Sequence, residues 1–107
     1  MSETFTERQR RDLVHNWHPC TQMADHEEWP PLAVRSARGV WLEDETGRRI
    51  LDGISSWWVN LFGHGHPRLV ETLTRQAERL DHCLFAGCTH DPAIELGERL
   101  AALSGLP

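Results

Sequence analysis

The stretch that most limits how this chain can fold is Gly53-Ile54-Ser55-Ser56-Trp57-Trp58-Val59-Asn60. Two serines lead into two adjacent tryptophans, and a glycine- and histidine-rich turn, Gly63-His64-Gly65-His66-Pro67, follows closely. A buried indole hides on the order of 150–250 Å², roughly 4–6 kcal/mol of transfer free energy at about 25 cal/mol per Å². Neighbouring residues of an extended strand point to opposite faces. An extended reading of the stretch therefore predicts that Trp57 and Trp58 serve different sides. One ring would anchor the fold, and the other would line what lies beyond. The plainer reading keeps both rings in one packed corner.

The segments on either side read as a mixture of helix and short strands. Thr4 or Thr6 is placed to cap a helix over Glu7–Asn16, and Thr4 with Glu7 has capping-box spacing. Trp17-His18-Pro19-Cys20-Thr21-Gln22-Met23 then runs extended, because Pro19 removes a donor and disfavours helix at His18. Leu32–Arg35 is a short predicted strand. Gly39–Asp44 and Arg48–Asp52 are predicted to pair as a hairpin, with Glu45-Thr46-Gly47 as its turn. Pro67 suits the first position of a helix that carries Leu69, Leu73, Ala77 and Leu80 on one face. Asp91 is the predicted cap of a second helix with Ala93, Leu96, Leu100 and Leu103 as its inner stripe, ended by Gly105-Leu106-Pro107. A hairpin and two apolar helix stripes do not close on one another. The chain therefore reads as the front of a longer α/β protein, incomplete on its own.

Charge and composition exclude several function classes. A net charge of −5 with scattered acidic residues offers no basic patch for nucleic acid or an anionic membrane surface. No apolar run approaches the roughly 18 residues of a membrane span, and the polar, acidic start lacks a secretory apolar region. A cytoplasmic protein is expected, and Cys20, Cys83 and Cys88 are expected to be free thiols. All eleven basic residues are arginine, so a Schiff-base lysine cannot be supplied from within these 107 residues. His64-Gly65-His66 and His82-Cys83 with Cys88-Thr89-His90 do not match zinc-ligand spacing. Nothing near Cys20 marks it as an activated nucleophile. The Gly63–Pro67 turn lacks the lysine and glycine spacing of a phosphate loop, and reads as a tight turn introducing a helix.

Several motifs, in this order, carry a resemblance. They are Trp17-His18-Pro19-Cys20-Thr21-Gln22-Met23, Gly39-Val40-Trp41-Leu42-Glu43-Asp44 with Gly47-Arg48, Leu51-Asp52-Gly53-Ile54-Ser55-Ser56-Trp57-Trp58, Gly63-His64-Gly65-His66-Pro67, and Leu84-Phe85-Ala86-Gly87-Cys88-Thr89-His90 with Pro92–Leu96. From about Trp17 onward the chain resembles the N-terminal part of class III, fold-type I pyridoxal-phosphate (PLP) aminotransferases. The Asp-Gly-x-x-x-x-Trp start and the Gly-His-x-His-Pro turn are shared across that class. Trp-His-Pro and Ser-Ser-Trp-Trp are narrower, and point to the branch that makes 7,8-diaminononanoate in biotin synthesis.

The resemblance implies an enzyme that moves an amino group from S-adenosylmethionine to 8-amino-7-oxononanoate through a PLP–lysine aldimine, with its active sites at a homodimer interface. Residues 1–31 would form an N-terminal helix and substrate-wall segment, and residues 32–107 the start of the aminotransferase domain. The implied substrate-binding set is Trp57, Trp58, Cys20, Phe85 and Gly87. Trp57 falls at the position that contacts substrate, on the ligand side of the pair, with Trp58 on the structural side. Phe85 and Gly87 fall where the family brings a segment toward the neighbouring subunit's site. Cys20 stands where the family often carries a tyrosine; a thiol cannot stack, which leaves the amino donor open. The lysine, the aspartate that holds the pyridine nitrogen and the phosphate loop are all expected beyond Pro107, so no catalytic, cofactor or metal residue is assigned here and the chain alone is expected to be inactive. Two alternatives stay open: a piece of another class III ω-amino-acid transaminase, and a small non-catalytic binding or interaction module.

Overall fold

The computed structural model describes residues 5–105, in two units that divide after Pro67. The first begins with helix α1 (Glu7–His15). Thr6 caps it: its hydroxyl accepts from Gln9 N at 3.3 Å, while Gln9 Oε1 accepts from Thr6 N at 3.0 Å. This reciprocal box stabilises the helix start by about 1 kcal/mol. Thr4, the alternative cap, lies outside the described residues. Gln9 also donates to Pro31 O at 2.9 Å, tying α1 to the segment that leads into the sheet. A 3-10 turn, Met23–Glu27, lies between.

Three antiparallel strands follow in the order β1 (Val34–Arg38), β2 (Trp41–Asp44) and β3 (Arg49–Leu51). The hairpin is where the sequence places it, with Trp41 opposite Leu51 and Glu43 opposite Arg49. The Arg49 guanidinium lies 4.6 Å from the Trp41 ring centre, a cation–π contact across the pair. Strand β1 starts later than the Leu32–Arg35 reading, because the Val34 N–H turns back to Leu32 O at 3.0 Å before pairing begins; within the strand a bulge breaks the register between Val34 and Ser36. Asp44 closes the β2–β3 turn: Oδ1 accepts from Thr46 N, the Thr46 hydroxyl and Arg48 N at 2.9, 2.7 and 2.9 Å. Gly47, at φ 88°, supplies the left-handed residue that the turn needs.

The stretch after β3 is the main correction. Ser55–Trp58 is not extended but forms one helical turn, α2, and all four residues have φ between 46° and 68°. The helix is left-handed. The alternation that would send the two indoles to opposite faces does not apply to it.

The second unit holds α3 (Pro67–Arg79) and α4 (Asp91–Ser104), both where helical spacing predicts them. The cap of α4 is His90 rather than Asp91. His90 Nδ1 accepts from Ala93 N at 3.3 Å, while Asp91 is already helical and its carboxylate lies 2.9 Å from Arg79 Nη2. Gly105, at φ 65°, ends α4 as expected; Leu106 and Pro107 lie outside the described residues.

Among the described residues only Phe5 and Asp44 are buried. The apolar stripes of the helices stay open, including Leu69 and Leu73 on α3 and Ile94, Leu100 and Leu103 on α4. No helix is long and apolar enough to cross a membrane. Cys20, Cys83 and Cys88 are free.

Candidate functional site

The centre of the first unit's polar chemistry is Asp52, the residue after β3. Its backbone N–H donates to Val40 O at 2.9 Å, which docks it on the sheet connection. Its side chain is 5% exposed and both oxygens are engaged. Oδ1 accepts from Ser56 N at 2.9 Å; Oδ2 accepts from the Ser56 hydroxyl and from His64 Nε2, each at 2.8 Å. With Nε2 donating, the other ring nitrogen of neutral His64 is left as an acceptor, and Asn60 Nδ2 lies 3.1 Å from it. These bonds hold the Asp52 carboxyl below the ordinary aspartate range, the Ser56 N–H contributing most and His64 next.

His64 is fixed through its backbone as well. It exchanges two hydrogen bonds with Gly39, at 2.9 and 2.8 Å, in an isolated antiparallel bridge. Gly63 makes that approach possible: a Cβ there would lie 3.0 Å from Gly39 O, and its φ is 79°. The Ser55 hydroxyl donates to Asn60 O at 2.8 Å, closing the far side of the turn. One small polar cluster thus joins the β1–β2 connection, the end of β3, α2 and the glycine-rich turn.

The cluster surrounds a strained segment. A left-handed conformation costs an L-residue about 1–2 kcal/mol, so four in succession cost roughly 4–8 kcal/mol before compensation. Such strain persists where the surroundings over-determine it, and it concentrates at functional sites. Here it sits directly under the tryptophan pair. Trp57 is 58% exposed and Trp58 is 74% exposed, so neither ring is enclosed by the described residues. A cavity of about 520 Å³ borders the same cluster, lined by Val40, Leu51, Asp52, Asn60 and Phe62 among others.

The remaining sequence-predicted residues lie elsewhere. Cys20 is exposed and opens onto a separate hollow with Trp17, His18, Pro19 and Thr21. The Trp17–Met23 stretch does not run extended throughout, because the chain turns at Pro19–Cys20, with Cys20 left-handed at φ 52°, and enters a 3-10 turn at Met23. Before it, His18 Nε2 donates to Asp12 Oδ2 at 2.6 Å and orders the Trp-His-Pro segment against α1. The Asp12 carboxyl is held low by Asn16 first and by His18 second. Phe85 and Gly87 belong to the second unit. Phe85 meets the His90 ring edge-on at 6.0 Å, and Gly87 takes φ 89° with open space beside it. The structure thus leaves both Trp57 and Trp58 exposed and Cys20 on its own hollow. Sequence reasoning missed Asp52, Asn60 and His64 as one cluster. The available signal was an Asp before the Gly53–Asn60 stretch with a His shortly after it.

The Aminotransferase class-III family model matches residues 22–106. The chain is 42% identical over 93 residues to the adenosylmethionine-8-amino-7-oxononanoate aminotransferase of Helicobacter pylori, covering 87% of the chain and 21% of that protein. Its structure is similar to that of the adenosylmethionine-8-amino-7-oxononanoate aminotransferase from Methanocaldococcus jannaschii, with a TM-score of 0.85 and 34% identity over 90% of the chain and 22% of that structure. An omega transaminase from Pseudomonas jessenii in complex with PMP is also similar, with a TM-score of 0.82 and 26% identity over 91% of the chain and 22% of that structure. The chain spans about a fifth of the length of the curated relatives it matches. The order of its motifs, its helix–sheet–helix path and these likenesses agree: the chain belongs to the class III aminotransferase family.

Proposed function

We propose that this chain is the N-terminal portion of a PLP-dependent aminotransferase that transfers an amino group from S-adenosylmethionine to 8-amino-7-oxononanoate, giving 7,8-diaminononanoate in cytoplasmic biotin synthesis. The observation that carries this reading is the 42% identity, over 87% of the chain, to an enzyme of that name. PLP acts as an electron sink for carbanions when bound. The residues present do not form a site for it, because none of the 107 is a lysine, and no catalytic step is assigned to this chain.

The chain's own part is to shape the substrate site. A long aliphatic substrate with polar ends is held by apolar walls and a few orienting polar groups. The open indole of Trp57 supplies a flat apolar face with one N–H donor, and the exposed indole of Trp58 is proposed as a second substrate-binding ring. Cys20, Phe85 and Gly87 are proposed as further substrate-binding residues, the last two by their match to the family segment that reaches the neighbouring subunit's site. Residues 1–31 serve as helix and wall segment, and residues 32–107 open the aminotransferase domain.

A second reading is an ω-amino-acid transaminase with a different donor, favoured by the 0.82 TM-score to the Pseudomonas jessenii enzyme and by a thiol at Cys20. Kinetics of the full-length enzyme carrying this chain separate the two. Trp57→Ala is expected to raise KM for 8-amino-7-oxononanoate at least about tenfold, a loss of about 1.4 kcal/mol. An unchanged KM in a normally folded variant would sink the wall assignment. Turnover with simple ω-amino acids but none with S-adenosylmethionine would favour the second reading.

A further inference from the structure

We propose that Asp52 and His64 are positioning residues for the tryptophan pair: together they hold Ser55–Trp58 in its left-handed turn and so set the direction of both indoles. The inference deepens the reading of Trp57 as substrate wall and, in its kinetic part, rests on it.

Asp52 grips α2 at Ser56, and His64 acts through Asp52. The free chain has no reason to keep four consecutive non-glycine residues at positive φ. What holds them is specific. One Asp52 oxygen takes the Ser56 N–H and the other takes the Ser56 hydroxyl, so the carboxylate grips the turn at its second residue by two bonds of 2.9 and 2.8 Å. The 2.8 Å bond from His64 Nε2 fixes where that carboxylate sits, and the two backbone bonds between His64 and Gly39 fix His64. At the far end, the Ser55 hydroxyl holds Asn60 O at 2.8 Å, and the Asn60 side chain lies against His64. The grip is largely shielded from solvent, with the Asp52 side chain 5% exposed and that of His64 15%. If it were released, the turn would relax toward negative φ and both indoles would swing with their Cα–Cβ bonds.

Glycine at residue 56 provides a test, because it takes left-handed φ without the Cβ penalty and so lowers the strain that the grip must hold at one of the four residues. The full-length enzyme is assayed with 8-amino-7-oxononanoate as the varied acceptor, and crystals of each variant report φ at residues 55–58. Asp52→Ala is expected to turn φ negative at Ser56 and Trp57 and to raise KM at least about fivefold with kcat little changed. In the S56G background, the same Asp52→Ala change is expected to raise KM by a smaller factor than in the wild-type background and to leave φ at residue 56 positive, a coupling read from the double-mutant cycle. Positive φ across 55–58 in the single D52A variant would overturn the proposal, as would an equal effect of D52A in both backgrounds. Where D52A does not accumulate as soluble protein, yield becomes the readout: recovery on adding S56G supports the grip, and no recovery overturns it. Trp57→Ala, run alongside, separates the two ideas. If it leaves KM unchanged, the wall reading fails, and the φ values alone then decide for or against the positioning role.

Discussion

At the scale of single residues, the site depends on carboxylates whose oxygens are fully engaged and on glycines that permit close approach. Asp44 and Asp52 both have their pKa values held below the ordinary aspartate range, Asp44 chiefly by the Thr46 hydroxyl and Asp52 chiefly by the Ser56 N–H. A folded pKa below the unfolded one contributes stability that is fully present above about pH 4 and is lost as pH falls through the folded value. The first unit is therefore expected to loosen at the β2–β3 turn and at α2 below about pH 4, with no contribution from these two groups to any change near neutral pH, and carboxyl titration by NMR of these two side chains checks it. Upward-shifted midpoints would contradict the geometry. Gly63→Ala is expected to part the Gly39–His64 bridge, because the new Cβ meets backbone and not a flexible side chain. Left-handed φ for alanine alone costs about 1–2 kcal/mol, so amide exchange at Gly39 and His64 should quicken at least about fivefold. Of these residues the sequence shows Gly63 and His64 as a turn. That His64 shares Asp52 with Ser56 depends on contacts 12 and 4 residues apart that no local pattern encodes.

The elements differ in how far local chemistry determines them. Helix α1 is specified by its own ends: Thr6 and Gln9 satisfy each other's backbone groups, three residues apart. Thr6→Ala should weaken α1 by about 1 kcal/mol, seen as faster exchange at Gln9 and Arg10, with β2 and β3 unaffected. The hairpin is similarly local, since Asp44, Thr46, Gly47 and Arg48 build its turn among themselves. Helices α3 and α4 follow from apolar spacing bounded by Pro67, Pro92 and Gly105. Strand β1 is less local, because the turn at Leu32–Val34 ahead of it and the bulge within it are not marked in its apolar pattern. The turn α2 is the opposite case. Two serines and two tryptophans carry no preference for left-handed backbone, and an extended reading follows from their side chains alone. It was wrong because a side chain preceding the turn and another following it outweigh the local preference.

On the scale of the whole molecule, the described residues bury almost nothing: Leu103 is 85% exposed and Trp17 is 89% exposed. Open apolar helix faces of this kind bind hydrophobic dyes and drive association. The 107-residue chain on its own is expected to bind such a dye and to show concentration-dependent sedimentation. A monomer with cooperative thermal unfolding would count heavily for a free-standing module and against a piece of an aminotransferase. The sequence by itself determined the family, the order of the elements, the hairpin, both long helices and the lack of a lysine for Schiff-base chemistry. Those rest on short-range spacing, on end chemistry and on counting residue types. The tertiary structure alone decided the hand of Ser55–Trp58, the partnership of Asp52 with His64, and the open placement of both indoles. Left-handed backbone is unfavourable at every one of those four residues taken singly, so only the assembled surroundings could select it.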